Sequence, residues 1–443
     1  MVTPIIPIIP APAANSPVLK RVPSKLFVEV TSRCNLLCAM CPKQAPGGRD
    51  HDGDMDEAVF ARLAPAFPFT ETLVLNGIGE SLLHPGLERM VALAKKDMPA
   101  GSSIGFQTNG QLMTAARALS LVKAGVNRVC VSADAVAPDL FSKLRAGGQQ
   151  SAVESALGYV HAAALEVGNP LALGIEFVAM RDNVAQLPDL VRWAGRHHVD
   201  FILVTHMLPY AENMEHEAAF ETSTDGARAL YREWKGRAAA EGVDIERYYD
   251  IFMRFQRSPA EEKVVEWVTR MVKDASLRGV TLHLARLFSS DDGLLARVEA
   301  SFAEATRVAS ELGIDLKLPA SVPRRERRCD FIEEGSAFVS WDGDVHPCYF
   351  LWHRYHCYVG GSVKKVAPQA FGNLRQSDIL DIWNGGPFGE FRNEVVRYEY
   401  PFCHDCNAAL CGDVREEVVE DCHLGTVPCA SCMWCTGVFQ CLQ

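Results

Sequence analysis

Along the first 210 residues, short apolar runs alternate with longer stretches whose apolar positions recur every three or four residues. The runs at 26–31, 72–76, 103–108, 128–133, 171–180 and 201–205 predict strands. The stretches at 57–64, 87–96, 115–124, 152–165 and 187–197 predict helices with one apolar face. Strand followed by helix at this rhythm predicts parallel βα units. Six such units predict an α/β fold built as a partial (β/α)6 barrel, open rather than closed by eight strands.

Downstream the pattern changes. Residues 211–322 are charged, rich in Ala, Glu and Arg, and carry helical periodicity at 224–241, 259–276 and 294–312. Pro319 and Pro323 mark the exit, and from Cys329 the chain turns to Gly, Pro, aromatic residues and cysteines. The expected organisation is a Pro/Ala-rich arm at 1–24, the barrel at 25–210, a helical insertion at 211–322, and a small cysteine-rich α+β domain at 323–443.

Charge and hydropathy narrow the function classes. Forty-four basic against 55 acidic residues leave a net charge of −11, so no nucleic-acid partner is expected. No apolar run approaches the length of a membrane span, so no membrane partner is expected either. Met1–Ala14 is apolar but holds four prolines and no Lys or Arg, unlike the charged start of an export signal. The expectation is a cytoplasmic chain with reduced thiols.

Fifteen cysteines change this picture most. Three lie within 34–41, one stands at 130, and eleven fall between 329 and 443. An odd total in tight clusters argues for metal or iron–sulfur ligation over disulfides. Cys34, Cys38 and Cys41 form a C-x3-C-x2-C triad in the loop after the first strand, which a barrel places at its C-terminal face. Three thiolates can hold three irons of a cubane cluster and leave the fourth open to another ligand. A zinc site completed by a distant residue is the alternative.

The run Thr31-Ser32-Arg33-Cys34-Asn35-Leu36-Leu37-Cys38-Ala39-Met40-Cys41-Pro42 resembles the signature loop of the radical S-adenosylmethionine superfamily. The resemblance implies a 4Fe–4S cluster on Cys34, Cys38 and Cys41 that binds and reduces S-adenosylmethionine. The implied outcome is a 5′-deoxyadenosyl radical that removes hydrogen from a substrate. Met40 stands where the family commonly has an aromatic residue beside the adenine.

Further motifs follow in the family's order. Asn76-Gly77-Ile78-Gly79-Glu80-Ser81 resembles its GGE motif, which implies that Gly77, Gly79 and Glu80 hold the methionine amino group. Gln107-Thr108-Asn109-Gly110 ends the third strand, so Gln107 and Asn109 are implied contacts. Val131-Ser132-Ala133-Asp134 ends the fourth; Ser132 and Asp134, two apart, share one face of a strand. Ser132, Asp134 and the later Arg145 fit the ribose and carboxylate contacts of relatives. Val178 and Thr205 mark the strands whose backbone meets adenosine there. Cys130 reads as a small buried thiol filling the barrel.

The distal cysteines resemble the SPASM extension of this superfamily. Cys329, thirteen residues, Gly343, four residues and Cys348 match its opening half, and 338–345 predicts a hairpin with an Asp-Gly turn. The resemblance implies two auxiliary 4Fe–4S clusters on Cys329, Cys348, Cys403, Cys406, Cys411, Cys422, Cys429, Cys432, Cys435 and Cys441. The second half departs in its spacing, because only four residues separate Cys406 from Cys411, which leaves open which thiols hold which cluster. Structural zinc completed by His346, His353, His356, His404 or His423 is the alternative. Arg324, Arg325, Arg327 and Arg328 read as a solvated linker or as a docking patch for an acidic donor, reduced flavodoxin or ferredoxin.

The expected function is a radical S-adenosylmethionine enzyme acting on a peptide or partner protein, by peptide modification or metalloenzyme maturation. The tail Cys422–Cys441 resembles the ending of a metalloenzyme-maturation subgroup. Dehydrogenase-like oxidation of a small molecule and a non-catalytic iron–sulfur or zinc protein are the alternatives. Spacing alone names no catalytic acid or base.

Overall fold

A computed structural model describes residues 20–45, 52–403 and 427–440. The six expected strands are present as β1 (Lys25–Val28), β2 (Thr72–Leu75), β3 (Ser103–Thr108), β4 (Arg128–Ser132), β5 (Ala172–Ala179) and β6 (Phe201–His206). Each pairs in parallel with the next in chain order. Alternate residues separate two cores. Leu26, Val28, Leu73, Leu75, Val129 and Val131 pack under the helices. Phe27, Val74 and Cys130 point into the barrel. Both faces are covered, which is why these runs read as continuously apolar.

The barrel helices are α1 (Leu87–Asp97), α2 (Ala115–Ala124), α3 (Pro138–Leu144), α4 (Gln150–Val167) and α5 (Leu187–Arg196). In α1 the buried set Leu87, Met90, Val91 and Ala94 has the three-four spacing that predicted it. Helix α2 starts on Thr114, whose side chain accepts from the Arg117 amide, and stops at Gly125 with φ 122°. The expected helix at 57–64 is shorter. Only Glu57–Phe60 is α-helical, and Ala61–Leu63 tightens to a 3-10 turn. Pro65 has no amide hydrogen to give the Ala61 carbonyl, so the helix cannot continue.

The block 211–322 is not one unit. Helices α6 (Asp225–Ala240) and α7 (Pro259–Leu277) share a core of their own around Leu230, Trp234, Trp267, Val268 and Met271. Helix α8 (Asp292–Leu312) instead packs Leu294, Val298, Phe302, Ala305 and Ala309 into the barrel core. It leads to β7 (Asp315–Lys317), which pairs in parallel with β6 and extends the barrel. A three-residue strand is too short to show a period of two, so composition alone placed this segment with the insertion.

The C-terminal region joins the opposite edge. Strand β8 (Ser336–Val339) pairs in parallel with β1, and β9 (Val345–His346) returns antiparallel through a turn in which Gly343 has φ 95°. The nine-stranded order is β9-β8-β1-β2-β3-β4-β5-β6-β7. A separate hairpin, β10 (Tyr355–Val359) and β11 (Ser362–Val366), turns on Gly360 and Gly361, both with positive φ. The tail 427–440 lies along the exit from β7. Ala320 donates to Gly437 O (2.7 Å), Arg324 to Thr436 O (3.0 Å) and Arg328 to Cys435 O (2.8 Å).

Candidate active site at the barrel mouth

The loop after β1 is held from both sides. Leu37 and Cys38 pair with Ala146 and Arg145, which sets Arg145 beside Cys38. The Ala39 amide donates to Leu144 O (3.0 Å) and the Cys41 amide to Cys38 O (3.1 Å). Lys43, almost fully buried, donates from Nζ to Ser32 O (2.6 Å) and pairs with Asp52. The Glu80 amide donates to Arg33 O (2.7 Å), closing the next strand's loop onto this one. A Cβ on Gly79 would strike the Thr31 carbonyl and come within 2.7 Å of Arg33 O, so only glycine lets the two loops meet.

Cys34, Cys38 and Cys41 line one cavity of about 280 Å³ over the C-terminal ends of the strands. Of the residues expected to touch a cofactor, Met40, Gly77, Gly79, Glu80, Gln107, Asn109, Ser132, Arg145, Val178 and Thr205 line it as well. Asp134 differs. It is fully buried behind Arg145, accepting from Arg145 Nε (2.6 Å) and from the Val178 amide (2.8 Å). It therefore aims the guanidinium rather than facing the cavity. Thr205 Oγ1 accepts from the Gln440 amide at 3.2 Å, so the tail occupies its hydroxyl.

Burial governs the titration of this site. It raises the Cys34 and Cys38 thiols and pushes Cys41 up to about 12. It also raises Glu80, whose carboxylate accepts from the Thr108 hydroxyl (2.6 Å) and the Asn109 amide (2.7 Å). Burial opposes the charge on Arg145, but the adjoining Asp134 carboxylate keeps the guanidinium protonated.

Other groups in and around the cavity stand out less in the sequence. Glu176 on β5 is pushed up to about 7 by burial, with Arg145 acting against the shift. A hydrogen-bond chain reaches it from the C-terminal domain. Tyr349 donates to Asn76, Asn76 Nδ2 to Gln107 Oε1 (3.2 Å), and Gln107 Nε2 to Glu176. Glu29, fully buried, accepts from the Ile78 amide (2.9 Å) and from His353 Nε2 (3.1 Å), tying three segments together. A lone acidic residue inside an apolar strand was the only available clue to Glu176.

Cys329, Cys348, Cys429, Cys432 and Cys435 line a second cavity of about 290 Å³. Cys403 is outside its lining, and Cys406, Cys411, Cys422 and Cys441 lie outside the described residues. Cys130 is fully buried inside the barrel. Two histidines weighed for zinc have other partners. His346 bonds Gln369 O (3.0 Å) and His353 bonds Glu29. His404 and His423 lie outside the described residues. Of the arginine run, Arg324, Arg325 and Arg328 are exposed and Arg327 is half-buried. Arg327 lies over the Phe402 ring (4.0 Å) and donates to Tyr400 O (2.7 Å), while Arg328 pairs with Asp330 (2.7 Å).

Comparison with known proteins follows the same division. Residues 28–194 match the Radical SAM superfamily model, and residues 329–407 match the SPASM iron-sulfur cluster-binding domain. The chain belongs to the radical S-adenosylmethionine superfamily. This radical S-adenosylmethionine enzyme is 29% identical over 425 residues to the tungsten-containing aldehyde ferredoxin oxidoreductase cofactor-modifying protein of Pyrococcus furiosus, covering 94% of this chain and 96% of that one. It is 30% identical over 187 residues to GTP 3′,8-cyclase of Rhizobium meliloti, covering 41% of this chain and only 51% of the cyclase. The solved structure of Streptococcus suis SuiB shares the fold, with a TM-score of 0.51 at 12% identity over 90% of this chain and 75% of that one.

The enzyme uses a 4Fe–4S cluster with S-adenosylmethionine, and its SPASM domain carries auxiliary iron–sulfur clusters. The residues fit these groups. Soft thiolates suit iron–sulfur clusters, and each set of thiols surrounds a space of roughly ten water volumes. No described helix is long and apolar enough to cross a membrane.

Proposed function

We propose that the enzyme matures a partner metalloenzyme, by modifying its metal cofactor or the peptide that holds it. The observation that carries this reading is the reach of the similarity to the Pyrococcus cofactor-modifying protein, which spans the barrel, the helical insertion and the C-terminal region. The cyclase similarity covers less than half of the chain.

In this reading Cys34, Cys38 and Cys41 hold the barrel cluster. When bound, that cluster and S-adenosylmethionine supply a 5′-deoxyadenosyl radical for hydrogen abstraction. Glu80 and the backbone at Gly77 and Gly79 hold the methionine amino end. Arg145, held by Asp134, faces the carboxylate or ribose. Met40 and Val178 pack beside the adenine, and Gln107, Asn109, Ser132 and Thr205 complete the cradle. Tyr349, Trp352 and Trp434 close the cavity from the C-terminal side and limit the entry of water. Reduced flavodoxin or ferredoxin supplies the electron.

The test is 5′-deoxyadenosine formation by the anaerobically reconstituted chain, with a candidate oxidoreductase purified from a strain lacking this gene. Stimulated formation together with a mass change in the oxidoreductase or its cofactor is expected. Formation stimulated only by free small molecules, with the oxidoreductase unchanged, overturns the reading.

A further inference from the structure

The second thiol-lined cavity joins the Cys329 and Cys348 pair of the SPASM match to a tail segment outside that match. Cys329 caps a short helix and donates its amide to the Tyr398 hydroxyl (2.6 Å). Cys348 follows β9. Cys429 and Cys432 flank one tight turn, in which the Cys432 amide donates to Cys429 O (3.0 Å). The SPASM match ends at residue 407, so this turn lies beyond it. Yet the turn is firmly placed, because the backbone bonds from Ala320, Arg324 and Arg328 fix the residues that follow it.

The cavity is suited to a large soft group. Phe201, Phe331, Phe350 and Tyr400 wall it, and its lining includes no histidine. Cys435 is engaged differently, donating its thiol to Cys432 O at 3.3 Å. Arg128 faces the same cavity with an Nε that has no hydrogen-bond partner, a positive charge set against a ligand set that becomes anionic.

We propose that Cys329, Cys348, Cys429 and Cys432 ligate one auxiliary iron–sulfur cluster, with the tail turn supplying half of its ligands. Trp434, Phe439 and Gln440 line both this cavity and the one at the barrel mouth. The tail is therefore ligand on one side and wall of the S-adenosylmethionine site on the other. Cys435 remains a hydrogen-bond donor at the cluster's edge, and Cys403 belongs to another site. The assignment rests on the C-terminal region holding iron–sulfur clusters, not on the maturation reading.

Iron content and electron paramagnetic resonance of the anaerobically reconstituted full chain test it. Cys329→Ser and Cys429→Ser should each lose about four irons, and the double variant should lose no more than either alone. Cys403→Ser should keep this cluster's signal. Additive losses in the double variant, or full iron in Cys429→Ser, overturn the assignment. A wild-type chain that takes up only the barrel cluster's iron would refute auxiliary clusters altogether, a separate outcome. The change that S-adenosylmethionine makes in the barrel cluster's signal reports that each variant has folded. Where it is missing, Cys429→Asp replaces the serine variant. Its carboxylate can still hold iron, so the cluster should persist with a shifted reduction potential, and an unshifted potential counts against ligation by Cys429.

Discussion

The two thiol-lined cavities are assembled in opposite ways. The upper one takes its three cysteines from a single loop, Cys34–Cys41, and its other groups from the ends of successive strands. The lower one takes five cysteines from separate segments between Cys329 and Cys435. A site on one loop is placed by the βα unit that carries it. A site spread over distant segments exists only once the barrel has formed and the tail has docked. The upper site should therefore tolerate damage to the lower one better than the reverse.

The largest expected effect tests whether the two sites load independently. Replacing Cys34, Cys38 and Cys41 together by Ala should abolish 5′-deoxyadenosine formation while the C-terminal iron remains, as read by iron analysis and product chromatography. Loss of the C-terminal iron as well would show that the two sites form as one.

The pair Arg145–Asp134 comes next, because both side chains are at least nine-tenths buried. Arg145→Met leaves Asp134 charged without its ionic partner and should cost about 3–5 kcal/mol, measured by denaturant unfolding of the apo chain. Arg145→Met combined with Asp134→Leu should recover most of that loss. If the double variant is as unstable as the single, the pair is not what sets the position of this loop.

Glu176 gives a pH-dependent comparison. Its folded pKa of about 7 lies above the ordinary carboxylate value of 4.5. The folded state thus binds the proton more tightly than the unfolded chain. Stability from this group is fully present below pH about 4.5 and is lost as pH rises toward 7, by roughly 3 kcal/mol in all. Glu176→Gln should flatten that part of the stability profile. An unchanged slope would mean that Arg145 keeps Glu176 ionised throughout.

The smallest effect concerns the lower cavity alone. Arg128 lies over the Phe201 ring (3.9 Å) and faces the cysteines. Arg128→Gln should lower the reduction potential of the auxiliary cluster by tens of millivolts, of the order of one partly screened charge, and leave the barrel cluster's potential in place. Equal shifts in both clusters would argue that Arg128 supports the fold rather than one site.

Legibility in the sequence follows the same division. The triad, the glycines at 77 and 79, and Ser132 could be read because each belongs to a local motif at a strand end. The strand-end pattern predicts Asp134 as a contact, but it spends its oxygens on Arg145 and the Val178 amide, a pairing visible only when β4 and β5 lie side by side. Glu176, Glu29 and Tyr349 stand out less because their partners are far away in the chain. Helix α8 was assigned to the insertion because an amphipathic helix does not state which core its apolar face will meet.

By itself the sequence determined the parallel barrel, the cluster loop at its mouth and the class of chemistry. The first two rest on alternation, periodicity and short spacings, which are properties of neighbouring residues; the class of chemistry rests on the resemblance of the motifs to those of the superfamily. Packing in three dimensions sets the rest: β7 and β8 extend the two edges of the sheet, Asp134 stands behind Arg145, and the tail turn shares one cavity with Cys329 and Cys348. The physical reason is burial: which groups share a water-free space depends on how distant segments pack, and local pattern carries no record of that.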